Sequence, residues 1–518
     1  MHPDPLKRLV VAGGLGKCTP RAGRLCREYA PTASLIASAG DRVRVKPASL
    51  KRVLYWCPRC NIPLLARQCS CGETGKEIHL LQPYDVRPAL DHDRDIIRVL
   101  LLERFGTDTL PRIVLFNKTG GTDRTDLIIA NGERFGWLSF DPCTRSYSLD
   151  IAFEALDYLA PTLRKGIIDI TETVDNSRGR RLGGKRIEVA ADTADGCVIL
   201  RAGHLWGTGQ RSGGSVRVRR LGPLAKTSYP DPAWEDAVRQ NRRHLKNLER
   251  HAIRFIRQQT RHRNEVNVSF SGGKDSTVVL ELARRAGIEE AYFVNTGLEF
   301  PETLEYVRSR GVEEVRCTAD FWKALREKGL PAKDDRWCCE MLKLEPARQW
   351  LASRAPCITV QGNRAYESFA RANLPAVAPN PYFPLQVNIS PILHWRALEV
   401  FLYIWWRDLP CNPLYAEGFE RVGCWVCPAM LESELERARE IHPDLVGRWE
   451  GVVRDWAASR GLDEGVVTCG IWRWRHPPPK IRELAREHGI ELPDSGKMKM
   501  RKKSLQPLLK KSESRKDL

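Results

Sequence analysis

The chain has 518 residues, 42% hydrophobic and 28% charged, so it is long enough for several globular domains and has no low-complexity majority. Lysine and arginine number 83 against 64 aspartates and glutamates, and the net charge of +19 favours a polyanionic partner, usually a nucleic acid. No apolar run has the length of a membrane span and no clean signal pattern is present, so we expect a cytoplasmic protein without a membrane partner. In that compartment, 16 cysteines with several close pairs indicate metal sites rather than disulfides.

The first two segments are a poorly defined N-terminal stretch (1–50) and a zinc-ribbon-like module (51–80). The string GGLGK at 13–17 imitates a phosphate loop, but no clear strand precedes it and no helical pattern follows. The module carries two close cysteine pairs separated by eight residues, a spacing that lets both pairs converge on one tetrahedral zinc ion. The second pair is C-x-C where C-x-x-C is usual, and four unrelated buried thiols are the alternative. The candidate ligands are Cys57, Cys60, Cys69 and Cys71.

Residues 81–161 predict a small α/β module of unknown role. We expect a helix over 96–105 and, after three strands, helical structure again over 141–161. The three strands are expected over 113–116, 127–129 and 137–140. Arg112, Lys118 and Arg124 are candidate RNA contacts, with ordinary solvated charges as the alternative.

Residues 162–222 contain short β-rich pieces separated by glycine and aspartate turns, which is typical of a small β-barrel. The string from 196 to 220 resembles the end of a PUA domain, an RNA-binding pseudobarrel, although other glycine-punctuated barrels share this pattern. The resemblance implies an RNA-binding role. A basic edge suited to phosphate contacts is formed by Arg178, Arg180, Arg181, Lys185 and Arg186.

A basic amphipathic helix is predicted over 231–263, opened by Asp231 as N-cap and Pro232 in the first turn. One face is apolar at helical spacing and the other is crowded with cations. Either that face is simply solvated or it follows an RNA backbone. The cations are Arg239, Arg242, Arg243, Lys246, Arg250, Arg254 and Arg257.

The stretch 265–303 carries the clearest chemistry of the chain. Alternating apolar residues before the string SGGKDS at 271–276 predict a strand, and the residues after it, 277–286, predict a helix. Another strand is expected over 291–295. This order of strand, loop, helix and strand is most simply half of a doubly wound parallel sheet.

The composition of SGGKDS suits a phosphate or pyrophosphate. Gly272 and Gly273 allow a ligand to approach the backbone, the N–H groups of the loop and helix start offer an anion site, and Lys274 adds a fixed charge. The string differs from the Walker A pattern. An ordinary glycine turn is the alternative, but the order of elements favours a nucleotide site.

SGGKDS resembles the pyrophosphate-binding loop of the ATP-pyrophosphatase (PP-loop) superfamily, and residues 262–430 are similar to the phosphoadenosine phosphosulfate (PAPS) reductase family. The shared motifs occur in family order and are Thr296-Gly297-x-x-Phe300-Pro301-Glu302-Thr303, Cys338-Cys339 with Lys343 and Pro346, Gly362-x-Arg364-x-x-Glu367-Ser368-x-x-Arg371, Pro391-Ile392-x-x-Trp395, and Asn412-Pro413-Leu414-Tyr415 before Gly423-Cys424. The resemblance implies an α/β fold, a doubly wound parallel sheet of the adenine nucleotide alpha hydrolase type, with a catalytic domain at 264–430.

The same resemblance implies the ligands and the site. The nucleotide would be ATP, or PAPS or adenosine phosphosulfate (APS) as substrate, with Mg²⁺ as an optional ion on the phosphates. Lys274, Asp275 and Cys339 are the implied catalytic residues. The implied nucleotide-binding residues are Ser271, Gly272, Gly273, Lys274, Asp275, Ser276, Asn295, Thr296, Gly297, Gly362, Arg364, Glu367, Ser368 and Arg371.

A second cysteine set lies inside this domain: adjacent Cys338 and Cys339, and the C-x-x-C pair Cys424 and Cys427. Four thiolates in this arrangement can hold a 4Fe–4S cluster, and the set resembles the cluster-binding members of the family. Zinc bound by the same four thiolates is the main alternative.

One departure from the family concerns the C-terminal Glu-Cys-Gly-(Ile/Leu)-His motif, whose cysteine attacks the sulfonucleotide in assimilatory reductases. Here Cys469-Gly470-Ile471 is preceded by Thr468 and followed by Trp472, so reductase activity through that cysteine is in doubt. The motif lies in a predicted helical extension (431–496), which a basic tail follows at 497–518.

Two functions therefore compete, and a third is weaker. The first is an RNA sulfurtransferase that thiolates tRNA through an adenylated base, with a separate sulfur donor as partner. The second is a PAPS or APS reductase that forms sulfite with electrons from a thioredoxin-like donor. The third is a non-catalytic RNA-binding protein. The oligomeric state stays open, a homodimer being one option.

Overall fold

The computed structural model describes residues 50–170, 183–189, 194–225, 228–263 and 265–492. The predicted N-terminal segment up to residue 49, the basic tail, and Arg178, Arg180 and Arg181 lie outside these residues. Within the described ranges, no helix has the combination of length and apolar character that a membrane span needs.

The described elements follow one another along the chain. The strands are β1 (Val53–Cys57), β2 (Ile62–Leu64), β3 (Lys76–His79), β4 (Val86–Pro88), β5 (Val114–Lys118), β6 (Thr125–Ala130), β7 (Glu133–Asp141), β8 (Ser146–Ile151), β9 (Ile167–Asp169), β10 (Arg186–Glu188), β11 (Gly196–Ala202), β12 (Leu205–Ser212), β13 (Ser215–Pro223), β14 (Val266–Ser269), β15 (Ala291–Asn295), β16 (Glu313–Arg316), β17 (Cys357–Val360), β18 (Val377–Asn380) and β19 (Phe383–Ile389). The α-helices are α1 (Asp91–Phe105), α2 (Leu156–Leu159), α3 (Trp234–Thr260), α4 (Lys274–Ala286), α5 (Pro301–Ser309), α6 (Phe321–Lys328), α7 (Trp337–Cys339), α8 (Glu345–Ala352), α9 (Ala397–Trp406), α10 (Glu432–Ile441), α11 (Pro443–Ala458), α12 (Gly465–Thr468) and α13 (Pro479–Glu487).

The first sheet is a small antiparallel one, in the order β2-β1-β3, around the N-terminal cysteine pairs. It packs against α3, where the buried Asn241 side chain donates to the Pro63 carbonyl (2.9 Å) and accepts from the Leu65 N–H (2.8 Å). Its Trp56 belongs to the same apolar core as Val268 of β14. This module therefore shares its core with the main sheet.

The second sheet is an antiparallel meander, β4-β5-β6-β7-β8, with α1 inserted after β4. The prediction of a helix over 141–161 was wrong in its first half, because β8 occupies Ser146–Ile151. Leu149 and Ile151 are buried on alternate positions, a period of two that suits a strand. Short helical turns begin only at Phe153.

Arg124 of this module does not lie on the surface as a candidate RNA contact. Only 3% of its side chain is exposed, and it is paired with Asp93 (2.6 Å) and Asp126 (2.9 Å). Lys118 pairs with Glu420 (2.6 Å), a residue beyond the main sheet. These charges hold two modules together rather than face a ligand.

The third sheet has the order β10-β13-β12-β11-β9 and encloses a core of its own. Its strands lie close to the β-rich pieces seen in the sequence. Several cations of this sheet are engaged in ion pairs, among them Arg201 with Asp169 (2.6 Å) and Arg219 with Asp150 (2.8 Å).

Helix α3 has the two faces that the sequence predicted, with Leu245 and Ile256 buried and the seven named cations exposed. Its start was predicted wrongly. The N-cap position is Ala233, and Asp236 accepts from the Ala233 N–H (3.0 Å). Asp231 lies before the helix and accepts from the Arg112 N–H (2.9 Å).

The main sheet has the order β16-β15-β14-β17-β19-β18. All neighbouring strands are parallel except the edge pair β18 and β19, so the predicted doubly wound parallel sheet carries one antiparallel edge strand. The strand order reverses between β14 and β17. Ligands of such sheets bind outside the carboxyl ends of the strands at this switch point.

The C-terminal helices α10 to α13 form a second apolar core. Helices α6 and α7 and the loop that follows β15 also contribute side chains to it. Trp449 and Trp472 lie in this core with ring centroids 5.7 Å apart, so these indoles pack rather than stack on a base. Cys469 of this region forms a disulfide with Cys143 in the turn between β7 and β8. The expectation that the cysteines serve metals rather than disulfides was wrong for this pair, because the fold places two residues distant in sequence side by side.

Candidate nucleotide site and cysteine clusters

The loop 271–276 follows β14 at the switch point of the main sheet, and its residues Lys274 to Ser276 already form the first turn of α4, which starts three residues before the predicted helix at 277–286. Gly272 has a φ of +73°, a conformation that favours glycine. The Ser276 hydroxyl donates to the Gly273 carbonyl (2.8 Å) and accepts from the Ser271 N–H (3.2 Å). Because Gly273 is the N-cap of α4, the first N–H groups of this helix point out of the loop and offer the expected anion site.

Two side chains that the site prediction omitted hold the loop from behind. The Tyr415 hydroxyl accepts from the Lys274 N–H (2.9 Å), and the Asn412 amide donates to the Gly272 carbonyl (3.2 Å) and to Thr303 (3.1 Å). A Cβ on Gly273 would lie 3.1 Å from the Tyr415 oxygen. The string Asn412-Pro413-Leu414-Tyr415 was among the family motifs, but only the contact reveals its role.

A chain of buried charges connects the loop with the N-terminal part of the protein. Lys274 donates to Asp275 (3.1 Å), whose other oxygen lies 2.7 Å from Arg364. Arg364 is 2% exposed and also pairs with Asp85 (3.0 Å). Burial raises the pKa of Asp275, but the attraction of Arg364 and Lys274 outweighs it and holds that pKa below its usual range. Asp275 is therefore a carboxylate at neutral pH.

The residues after β17 approach the loop closely. A Cβ on Gly362 would lie 3.0 Å from the Asp275 carbonyl carbon and from the Ser276 nitrogen, so glycine is required there for steric reasons. Glu367 pairs with Arg371, which also donates to Asn363 (3.3 Å), and Ser368 precedes the short helical turn at Phe369. Arg364 thus buttresses the loop from inside the fold.

The expected residues at the end of β15 form a second side of the site. Asn295 accepts from the Gly297 N–H (2.8 Å), and Gly297 has a φ of +76°. Thr296 donates through its hydroxyl to Glu299 (2.8 Å), which also accepts from the Thr296 N–H (3.0 Å). Cys424 forms an antiparallel bridge with Glu299, so the second cysteine set lies beside this strand end.

A cavity of about 230 Å³ opens at the carboxyl ends of β14 and β15. It extends from Ser271 of the loop to the β18–β19 hairpin and has both polar and aromatic walls. Its lining includes Ser271, Thr303, Lys343, Gln361, Asn380 and Tyr382. The cavity has the place and the mixed lining expected of a nucleotide pocket.

The set Cys338, Cys339, Cys424 and Cys427 gathers beside the cavity, near Lys343. The hydrogen bond from Cys338 outweighs burial and lowers the pKa of the Cys339 thiol to about 6. Among the described residues, this set does not include three sulfur atoms within 4.8 Å of one another. One tetrahedral zinc ion would hold sulfurs about 3.8 Å apart. The four sulfurs are therefore not arranged as the ligands of one zinc ion in this structure, although Cys338 and Cys339 are hydrogen-bonded to each other.

The N-terminal set is tighter. The sulfur atoms of Cys57, Cys60, Cys69 and Cys71 all lie within 4.8 Å of one another, as the ligands of one ion would. The backbone supports this arrangement, because the Cys60 N–H donates to the Cys57 sulfur (3.3 Å) and the Gly72 N–H to the Cys69 carbonyl. These four residues can therefore hold a metal ion, for which zinc is the natural candidate.

The comparisons with known proteins identify the domain that contains this loop and sheet. Residues 265–430 match the phosphoadenosine phosphosulfate reductase domain. An adenosine 5'-phosphosulfate reductase of Deinococcus radiodurans is 30% identical over 208 residues, 38% of this chain and 72% of its own length. The chain belongs to the phosphoadenosine phosphosulfate reductase family. A PAPS reductase structure from Candida auris aligns with 35% of this chain and 95% of its own at 19% identity and a TM-score of 0.29.

The family domain is only part of the chain. An uncharacterized protein of Methanocaldococcus jannaschii is 33% identical over 462 residues, which cover 82% of this chain and 96% of that protein. The similarity to this archaeal family member extends well beyond the reductase domain. Asp85, which completes the charge chain to the family's loop, lies outside the matched 265–430 region.

Proposed function

We propose that this protein is an ATP-dependent sulfurtransferase that thiolates RNA, with tRNA as the expected substrate. The state of Cys469 carries the proposal. In assimilatory reductases the cysteine of this motif attacks the sulfonucleotide. Here Cys469 is 5% exposed, bonded to Cys143, and followed by Trp472 in place of the motif's histidine. The loop that binds phosphates is intact, so the arrangement favours nucleotide chemistry that does not use this cysteine.

The reaction that suits the loop begins with attack of a base carbonyl oxygen on the α-phosphorus of ATP. The bond to pyrophosphate breaks, and the leaving group is held by the Lys274 side chain and by the loop N–H groups other than those of Ser271 and Lys274, which bond to Ser276 and Tyr415. Sulfur at the oxidation level of hydrosulfide then attacks the activated carbon, and AMP leaves with the former carbonyl oxygen. This exchange of oxygen for sulfur involves no net oxidation or reduction. A persulfide donor would in addition need two electrons, because the sulfur–sulfur bond to the donor must be cleaved reductively.

The second cysteine set supports a role in sulfur chemistry. Cys338, Cys339, Cys424 and Cys427 would hold a 4Fe–4S cluster, which when bound supplies electrons. Lys343 lies beside the set, and the Cys424 thiolate raises the pKa of Lys343 above its ordinary value. The Lys343 cation in turn lowers the pKa of the Cys424 thiol, but burial outweighs this attraction and leaves that pKa raised, at about 11.

An RNA substrate is supported by the surface of α3. Its seven cations are exposed, and Arg242, Arg243 and Lys246 form no ion pair with the described residues. A face of one charge sign on a long helix suits a phosphate backbone. The reduction of a small sulfonucleotide has no need of such a face.

A second candidate is reduction of APS or PAPS to sulfite. The identity with the Deinococcus reductase over the catalytic domain favours it, and the metal-binding cysteine set suits either reaction. The two functions differ in their products, sulfite in one case and AMP with a thiolated nucleoside in the other.

The deciding experiment is mass spectrometry of nucleosides from digested tRNA of the host with and without this gene. We expect loss of one sulfur-containing nucleoside, its return with the wild-type gene, and no return with Asp275→Asn or Cys339→Ser. Both variants should still bind tRNA, since neither residue lies on α3. Lys323→Ala, which removes an exposed cation of α6, is the matched control and should restore the nucleoside.

An unchanged nucleoside profile would contradict the proposal. Sulfite release from APS or PAPS by the purified protein would then identify the reductase.

A further inference from the structure

A group of side chains of the types that bind metals lies far from the nucleotide loop in sequence and takes no part in the proposed reaction. A carboxylate oxygen of Asp141, the sulfur of Cys143 and a ring nitrogen of His488 lie within 4.8 Å of one another. Cys469 is bonded to Cys143, so its sulfur adjoins this group, although it does not lie within 4.8 Å of all three ligand atoms. We call Asp141, Cys143, Cys469 and His488 the second cluster; it shares no residue with the second cysteine set described above.

The second cluster is assembled from three parts of the fold. Asp141 ends β7, and Cys143 lies in the following turn. Cys469 follows α12, and His488 follows α13. Four side chains of the types that bind zinc therefore converge only in the folded protein, where the antiparallel sheet meets the C-terminal extension.

The oxygen and nitrogen ligands are already oriented. Asp141 accepts from the Cys143 N–H (2.8 Å) and the Thr144 N–H (3.2 Å) through one oxygen, and its other oxygen accepts no hydrogen bond from the described residues. Neither ring nitrogen of His488 bonds to a described residue, while its backbone N–H donates to the Leu484 carbonyl (3.1 Å). One carboxylate oxygen and one imidazole nitrogen are thus free to bind an ion.

We propose that the second cluster is a zinc site that forms when the Cys143–Cys469 disulfide is reduced. A dithiol reductant supplies two electrons and two protons, opens the sulfur–sulfur bond and is itself oxidised to a disulfide. Zinc then displaces the two thiol protons and binds two thiolates, one imidazole and one carboxylate. Bonds of about 2.0–2.3 Å in a tetrahedron require ligand atoms roughly 3–4 Å apart, so side-chain rotations, above all of Cys469 once its bond to Cys143 is open, must bring the four ligands together. Oxidation to the disulfide removes both sulfur ligands.

Zinc content of the full-length protein tests this site. Wild type and variants are reduced with dithiothreitol without oxygen, supplied with zinc, freed of loosely bound metal, and measured by inductively coupled plasma mass spectrometry. We expect His488→Ala and Asp141→Asn to hold about one zinc per chain less than wild type. His251→Ala, which removes another exposed histidine on α3, should equal wild type.

Zinc at the other cysteine sets is common to all variants and cancels in the comparison. Because His488 is exposed, its loss should leave the fold intact, and circular dichroism would verify this. Reduced wild type and His488→Ala with equal zinc contents would overturn the proposal. The outcome is independent of the proposed RNA thiolation, because Cys469 is occupied both in the disulfide and as a zinc ligand and serves as the attacking thiol in neither form.

Discussion

At the scale of single residues, Arg364 is the side chain whose role differs most from the expectation. As a motif residue it was expected to line the nucleotide pocket, yet it is enclosed between Asp275 and Asp85. A buried guanidinium with two carboxylate partners fixes the position of both. Arg364 therefore determines where Asp275 lies and, through it, the shape of the loop.

Replacement of Asp85 by alanine is expected to lower the free energy of unfolding by an amount on the order of 3 kcal/mol. The variant leaves Arg364 with one carboxylate and removes the acceptor of the Ala397 N–H (2.7 Å) at the start of α9. Denaturant unfolding measures the change. Asp95→Ala is the matched control, because Asp95 is 67% exposed and pairs only with Arg98, so its loss should cost less than about 1 kcal/mol. Equal effects of the two variants would contradict the assigned role of Asp85.

At the scale of elements, α3 combines two functions on opposite faces. Its apolar face packs against the sheet β2-β1-β3 and against α9, and the Asn241 side chain donates to the Pro63 carbonyl of that sheet. Its cationic face stays exposed. Because the buried face carries the packing, the exposed cations are not needed for the fold, and the proposed RNA partner would account for their single charge sign.

The triple variant Arg242→Ala, Arg243→Ala and Lys246→Ala is expected to weaken tRNA binding without loss of stability. Each lost phosphate contact lowers the slope of log affinity against log salt by about 0.7–0.9, so the slope should fall by up to about 2–3. Fluorescence anisotropy at several salt concentrations measures it.

A control triple of the same charge, Arg308→Ala, Arg316→Ala and Lys323→Ala, removes exposed cations from other elements and should keep the wild-type slope. Equal slopes for wild type and the α3 triple would show that RNA binds elsewhere.

At the scale of the whole molecule, the N-terminal cysteine module (51–80) does not form a separate domain with a core of its own. Its Leu54 and Trp56 belong to one apolar core with Val268 and Leu398 of the catalytic domain. Arg396 binds the carbonyls of Lys51 (2.7 Å) and Val53 (2.9 Å) across the same boundary. Unfolding of the N-terminal cysteine module would therefore also destabilise the catalytic domain that carries the nucleotide site.

Removal of a metal ion from Cys57, Cys60, Cys69 and Cys71 is expected to destabilise the catalytic domain as well. A strong chelator should lower the melting temperature of the main unfolding transition, and Cys60→Ser should do the same. In both cases no metal ion links the two cysteine pairs, so the binding free energy of the ion no longer stabilises the fold. Differential scanning calorimetry measures the shift. His79→Ala, an exposed position on β3, serves as control. A main transition unmoved by the chelator would show that the four thiols need no metal.

The sequence by itself determined the features that depend on neighbouring residues. The strand, loop and helix at 266–286 follow from local alternation, small residues and helical spacing, and the cysteine spacing at 57–71 brought four thiols together as predicted. The family motifs identified the catalytic domain for the same reason, since each motif is a short continuous string.

Only the tertiary structure decided which distant residues meet. Tyr415 behind the loop, Asp85 on Arg364, and the disulfide between Cys143 and Cys469 join residues that lie far apart in the sequence. Arg124 has the same local character as an exposed arginine, and nothing near it in sequence reveals that it is buried. Burial and long-range pairing arise when hydrophobic faces of separate elements close on one another, and this information is spread over the whole chain.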